Sequence, residues 1–370
     1  LAGTSGTVTG DVGNLSFIDQ NGDVISQQVI SDITQNGEMV AKGTYDYRLT
    51  SGDNADGLYV NYGLTEVELL AQGNNALTLN AEGNTGNAAD LSAKVTGTGD
   101  LRIDTDTDVS LSNSENSYSG LTDVVAGTLK MGNNNVLGLT RLLNLRSGSG
   151  FNMNGYVQTL QNIQTEVGSL LDFNQGSLTV SNGTIAGDMT GAGNLTVTGG
   201  TVTVSGSGAG MTAKTTIASN GTINMLSTDA LGSGDVDNQG LLVLGENTKG
   251  TTPSDYQTGS LSNSGTVMIG HNDAAGNAVA GTTLTVNGNY AGDNGHLLFN
   301  TVLGNDSSVT DKLVVTGDTS GETFVSVTNV GGTGDSTLNG IELISVGGQS
   351  DGTFTQDGRI VAGAYDYSLV

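Results

Sequence analysis

Cysteine and tryptophan are absent from this chain of 370 residues, and proline occurs once. Without cysteine there is no disulfide scaffold and no thiolate-ligated zinc or iron–sulfur centre. Two histidines leave little material for a histidine-rich metal site. Basic residues are scarce: 11 Lys and Arg stand against 37 Asp and Glu, a net charge of −26. Such a chain repels nucleic acid and anionic lipid, so no nucleic-acid partner is expected. No apolar run is long enough for a membrane-spanning helix, which needs about 18 residues or more. The first residues, Leu1-Ala2-Gly3-Thr4, offer neither the basic region nor the apolar core of a secretory signal.

Glycine and short apolar runs are abundant. There are 59 glycines. Between them lie stretches such as Leu101-Arg102-Ile103, Leu178-Thr179-Val180, Leu195-Thr196-Val197, Val202-Thr203-Val204 and Leu284-Thr285-Val286. Apolar residues alternate with Thr, Ser or Asn, which buries one face of a strand and leaves the other wet. Asn-Gly pairs at Asn21, Asn36, Asn154, Asn182, Asn220, Asn287, Asn294 and Asn339 supply turns that accept positive φ. Helical periodicity is nearly missing; its best stretch, residues 136–145, is short and contains Gly138.

The fold class is therefore all-β. A sandwich of this size would bury more aromatic residues than 4% supplies, and a propeller should show a blade repeat that is not seen. Small apolar residues recurring at about 20 residues fit a parallel β-helix, a β-solenoid whose core grows with each coil. Coils of roughly 20–25 residues predict about 15–18 of them, stacked into a rod on the order of 80 Å long. Outward Thr, Asn and Ser would then form ladders along its faces.

Residues 97–132 carry the most specific pattern. Gly97-Thr98-Gly99-Asp100-Leu101 leads to Asn116-Ser117-Tyr118-Ser119-Gly120-Leu121-Thr122, and then to Ala126-Gly127-Thr128-Leu129-Lys130-Met131-Gly132. This resembles the passenger-associated repeat of AIDA-like type V autotransporters. The stretch 313–370, closing on Gly363-Ala364-Tyr365-Asp366-Tyr367, resembles the autochaperone region that ends such passengers. Its tail occurs twice. Ile33-Thr34-Gln35-Asn36-Gly37 and Tyr45-Asp46-Tyr47 match Phe354-Thr355-Gln356-Asp357-Gly358 and Tyr365-Asp366-Tyr367, with one residue inserted in the first copy.

The resemblance implies a right-handed parallel β-helix with a C-terminal autochaperone-like cap, displayed on the surface of a Gram-negative bacterium or secreted. It also implies a β-barrel translocator downstream in the full-length protein. The organisation expected is the tail of an upstream capping module at residues 1–70, β-helix repeats at 71–290 and a capping module at 291–370. The absence of cysteine suits a chain that crosses an oxidising periplasm, and the acidity suits a soluble rod.

Catalytic patterns are weak. His271 and His296 each adjoin turn-like sequence and lack an H-x-x-x-H partner. The nearest approach to a serine-protease loop, Gly304-Asn305-Asp306-Ser307-Ser308, lacks the glycine after the serine. Gly348-Gln349-Ser350-Asp351-Gly352 lies between β-type runs rather than on a strand-to-helix elbow. No enzyme and no cofactor is expected. A glycan-active enzyme would need a carboxylate pair in a groove. A passive stalk is the other alternative.

Asp104, Asp106 and Asp108 alternate with Thr105, Thr107 and Val109, which puts three carboxylates on one side of a strand as a candidate cation site. Calcium should then raise the melting temperature. Loops leaving a rod are candidate ligand sites. Residues 245–259 offer Lys249, Asp255 and Tyr256; residues 270–281 offer His271 and Asp273; residues 51–62 offer Tyr59 and Tyr62. The expected function is adhesion to host extracellular-matrix proteins or glycans, or self-association leading to aggregation and biofilm.

Overall fold

The computed structural model describes residue 12 and residues 15–51, 57–80, 89–245, 253–273 and 275–370. Strands dominate, and most of them pair in parallel with the strand one coil away. One column of register partners runs Leu77, Leu101, Thr122, Leu143, Ile163, Gly183, Val202, Ile223, Leu242, Val267, Leu297, Val325 and Gln356. The expected parallel β-helix is thus observed. Except at Gly183, side chains at these positions point inward and stack, because a strand's period of two returns the same face to every rung.

The rod is shorter than expected. The column has thirteen rungs, about 60 Å at the usual strand spacing. Two causes combine. From Leu101 to Leu242 the coils take 19–21 residues, but the four later steps take 25, 30, 28 and 31. The residues before the first rung also build something else: an antiparallel sheet of Gln28–Gln35, Glu38–Thr50 and Tyr59–Leu69. Its last strand joins the rod by pairing in parallel with Lys94–Gly97.

Other columns complete the coil. Leu178, Leu195, Thr215, Val236, Leu261 and Tyr290 stack on a second face. Val109, Leu129, Phe151, Leu171 and Met189 stack on a third. Tyr256, Leu284, Leu313 and Ile344 form a further column in the C-terminal coils. Nearly all of these are buried, in one apolar core running from Val40 to Val325. The stretch 136–145 is not helical; Leu142–Leu145 is a strand on the first column.

The ends of a solenoid expose unpaired strand edges, and the duplicated motif deals with both. Gln35 Nε2 donates to the Thr78 carbonyl at 2.8 Å, and Gln35 Oε1 accepts from the Thr78 N–H at 2.8 Å. The side chain thereby substitutes for a strand above the first rung. Its counterpart, Gln356, donates to the Gly358 carbonyl and accepts from the Leu369 N–H, tying the tail across the last rung. The copies differ beyond this point. Glu38–Thr50 is one strand with a bulge at Thr44/Tyr45. In the second copy, Ile360–Ala362 turns back through Gly363, at φ 57°, to pair with Tyr365–Tyr367. The residue inserted in the first copy accompanies the continuous strand.

Candidate functional site

The repeat-like motif at residues 116–122 is built into the core rather than onto a surface. Asn116 Oδ1 accepts from the Val95 N–H at 2.7 Å, and its Nδ2 donates to the Val136 carbonyl at 2.7 Å. One buried amide therefore joins three consecutive coils. Tyr118 is fully buried, with its hydroxyl 2.7 Å from Thr122 Oγ1. Thr122 and Thr140 continue that chain to the Gly120 carbonyl. Gly120 itself is required by contact: a Cβ there would overlap the Gly99 carbonyl of the coil below. The motif is cross-coil fastening.

The outward faces carry the polar columns. Thr159, Thr179, Thr196, Thr216, Asp237 and Ser262 are successive register partners on one face. On another face the column runs Thr78, Arg102, Asp123, Asn144, Gln164, Thr184, Thr203 and Asn224. Near its start this second column widens into a groove of about 540 Å³ lined by Asn36, Asn74, Asn80, Arg102 and Asp104, with Gln35 and Thr78. A smaller hollow of about 120 Å³ adjoins it through Asn74 and Arg102.

Two elements wall the groove. Asn36 sits in the Asn-Gly hairpin of the N-terminal sheet at φ 51°. Asn74 lies on the 3-10 turn Gly73–Asn75. The floor is the strand Leu101–Leu111. Asp100, only 4% exposed, ties the Gly73–Asn75 wall to the coils beside it. Its carboxylate accepts from the N–H groups of Gly73 at 2.9 Å and Leu121 at 2.7 Å, and from Arg141 Nη2 at 3.0 Å. Arg102 lies 3.2 Å from Asp104, and Arg146 lies 3.0 Å from Asp123. Sequence reasoning missed this groove because its residues lie far apart in the chain. The legible signal was that three of the five arginines fall between residues 102 and 146.

The residues singled out from the sequence do not converge. Asp104, Asp106 and Asp108 do alternate on the wet side of their strand. Among the described residues, however, no group of three His, Asp or Glu side chains is placed to hold a metal ion, and Asp104 is committed to Arg102. Tyr256 and His271 correct the loop expectation. Tyr256 belongs to the strand Asp255–Thr258 and is 2% exposed, so it packs in the core, where burial raises its phenol pKa. His271 is fully buried, with Nδ1 3.1 Å from Thr282 Oγ1. Neither can meet a ligand from solvent.

Asp255 is exposed beside Tyr256. Asp273 accepts from the N–H groups of Ala275 and Asn277, a turn-forming role that, with the Asn277 side chain, lowers its pKa. Tyr59 and Tyr62 lie exposed on the N-terminal sheet, and Tyr62 stacks on Tyr47 with ring centroids 5.7 Å apart. Lys249 lies outside the described residues. His296 stacks on Phe324, with Nδ1 3.5 Å from Asp357 Oδ2. Ser350 sits in the corner where the Gln349 N–H meets Asp318 Oδ1.

Comparisons with known proteins agree with this architecture. Residues 257–369 match the family Autochaperone Domain Type 1; the match begins where the coils lengthen. The chain is 36% identical to the protein YuaQ of Escherichia coli K12, covering 99% of this chain and 36% of that protein. It is 32% identical to the Adhesin BmaC autotransporter of Brucella suis biovar 1, covering 78% of this chain and 8% of that protein. Similarity to the Autotransporter adhesin AIDA-I of Escherichia coli is 50% over 24% of this chain and 7% of that protein. The chain thus spans about a third or less of each of these relatives. The autochaperone match together with these relatives makes this chain an autotransporter passenger segment. Its C-terminal part is an autochaperone domain.

Proposed function

We propose that this segment is the rod of an adhesin displayed on the outer-membrane surface of a Gram-negative cell, without enzymatic activity of its own, and that its outward columns mediate contact. The observation that carries this reading is the unbroken run of Thr159, Thr179, Thr196 and Thr216 along one face. Hydroxyls repeated at the rung spacing present an array of donors and acceptors that a second rod can match. Each net hydrogen bond contributes only about 1 kcal/mol, but contacts held in register along a rigid face add as linked sites. Two of the relatives bear the name adhesin. Host matrix proteins and glycans are the other partners this surface would meet, and a translocator barrel would anchor the rod.

A net charge of −26 opposes the approach of two copies, and salt screens that repulsion over about 8 Å at physiological strength. Sedimentation velocity on the purified chain should therefore show dimers that grow with concentration and strengthen as salt is raised. Thr196→Asp, at the centre of the column, should weaken association at least tenfold while leaving the melting temperature within a degree or two. A monomer under every condition would discard self-association and favour the stalk reading, for which the capped N-terminal end is the structural argument.

A further inference from the structure

We propose that the groove between the N-terminal cap and the first coils binds a neutral, polyhydroxylated ligand, a short stretch of uncharged glycan. This rests on the adhesin reading only for the setting in which glycans are met; the site itself is argued from its side chains.

The first argument is charge. The rod is strongly acidic, and around this groove every arginine already has a carboxylate partner: Arg102 has Asp104, Arg141 has Asp100, and Arg146 has Asp123 and Glu166. An anionic ligand finds no uncompensated cation there, and a cation finds no set of free carboxylates. The second argument is hydrogen-bonding capacity. A sugar hydroxyl donates and accepts at once, so its site needs both kinds of group. The side-chain amides of Asn36 and Asn74 make no hydrogen bond with another described residue, and both are exposed. Each offers a carbonyl oxygen and two N–H donors. Arg102 gives Nη2 to Asp104 and keeps further donors of its planar fork, while Asp104 supplies an acceptor.

The third argument is rigidity. Both walls are fastened in place by bonds that do not involve the ligand: Gln35 to both backbone groups of Thr78, whose strand pairs with the floor, and Asp100, immediately before the floor strand, to Gly73. A site held open in advance loses less freedom on binding. The volume, about 540 Å³, falls within the range of small-ligand sites.

The test is an array of uncharged oligosaccharides alongside sialylated and uronate-bearing ones, probed with the full chain. Binding to uncharged members is expected. Arg102→Ala should weaken it about tenfold. Asn36→Gly, which suits the positive φ of that turn and removes the side chain with its amide, should weaken it severalfold. Thermal melts establish that both variants fold, and Leu338→Ala, at an exposed position in the distant C-terminal module, should bind as the parent does. A blank array, capture of acidic glycans alone, or binding unchanged in both groove variants would overturn the proposal. Sedimentation of Arg102→Ala separates the two readings: unchanged self-association with lost glycan capture assigns the groove its own role. Glycan capture by a chain that never self-associates would leave the groove standing and remove the rod-face mechanism.

Discussion

Replacing Asn116 by alanine should destabilise the coils around it by about 2–5 kcal/mol. The amide is 7% exposed and satisfies one backbone group on each side, the Val95 N–H and the Val136 carbonyl. Alanine leaves both without a partner in a dry interior, and a buried polar group stripped of its bond costs about 1–3 kcal/mol. Removal of the side chain adds a void. The loss should appear as faster hydrogen exchange in residues 93–97 and 136–140, and as a lower melting temperature. Asn113→Ala is the matched control. That residue also bridges coils, through Nδ2 to the Ser92 carbonyl at 3.0 Å, but it does so in water, so its loss should cost under about 1 kcal/mol. Tyr118→Phe should fall between them, since it removes one hydroxyl from a chain that Thr122 and Thr140 still continue. Equal effects for Asn113 and Asn116 would contradict the assignment of the motif as core fastening.

This result bears on what the sequence could reveal. Alternation in Leu178-Thr179-Val180 or Leu195-Thr196-Val197 was enough to predict which side chains point inward, and the register confirms it residue by residue. Asn116 was visible only as part of a recurring pattern. Its burial follows from stacking against coils some twenty residues away, which no local rule contains. Coil number was harder. The corner segments that lengthen coils after Leu242 cost little chain entropy, so composition does not constrain them.

Tyr256 illustrates a signal that was present but outweighed. Asp255-Tyr256-Gln257-Thr258 alternates exposed and buried as a strand should. The proline and the bounding glycines, Pro253, Gly245 and Gly259, made the whole stretch read as a loop. The groove was illegible for a different reason. Asn36, Asn74 and Arg102 belong to a hairpin, a turn and a strand, and only the docking of the cap through Gln35 brings them together.

The C-terminal module should become more stable as pH falls from 7 towards 4, and Asp311 should account for a separable part of that gain. Asp311 is fully buried, and Asn300, whose N–H it accepts, also donates its amide to the His271 carbonyl. Burial pushes its carboxyl up to about 6, against the pull of N–H bonds from Asn300, Thr282 and Gly281. A carboxyl whose folded value exceeds its unfolded one binds its proton more tightly when folded. Its stabilisation is therefore complete below about 4 and lost as pH rises through about 6. A shift of this size corresponds to about 3 kcal/mol. General relief of acidic repulsion acts in the same direction, so the parent's slope alone decides nothing. Asp311→Asn removes the titration while retaining an acceptor for Gly281 and Thr282; its amide nitrogen would face the Asn300 N–H and lose that bond. Local opening free energies from hydrogen exchange at residues 281–286 and 298–302 should therefore differ between parent and variant by an amount that changes by about 3 kcal/mol across this window. A constant difference from pH 4 to 7 would mean that Asp311 stays ionised throughout, with the three N–H donors outweighing its burial.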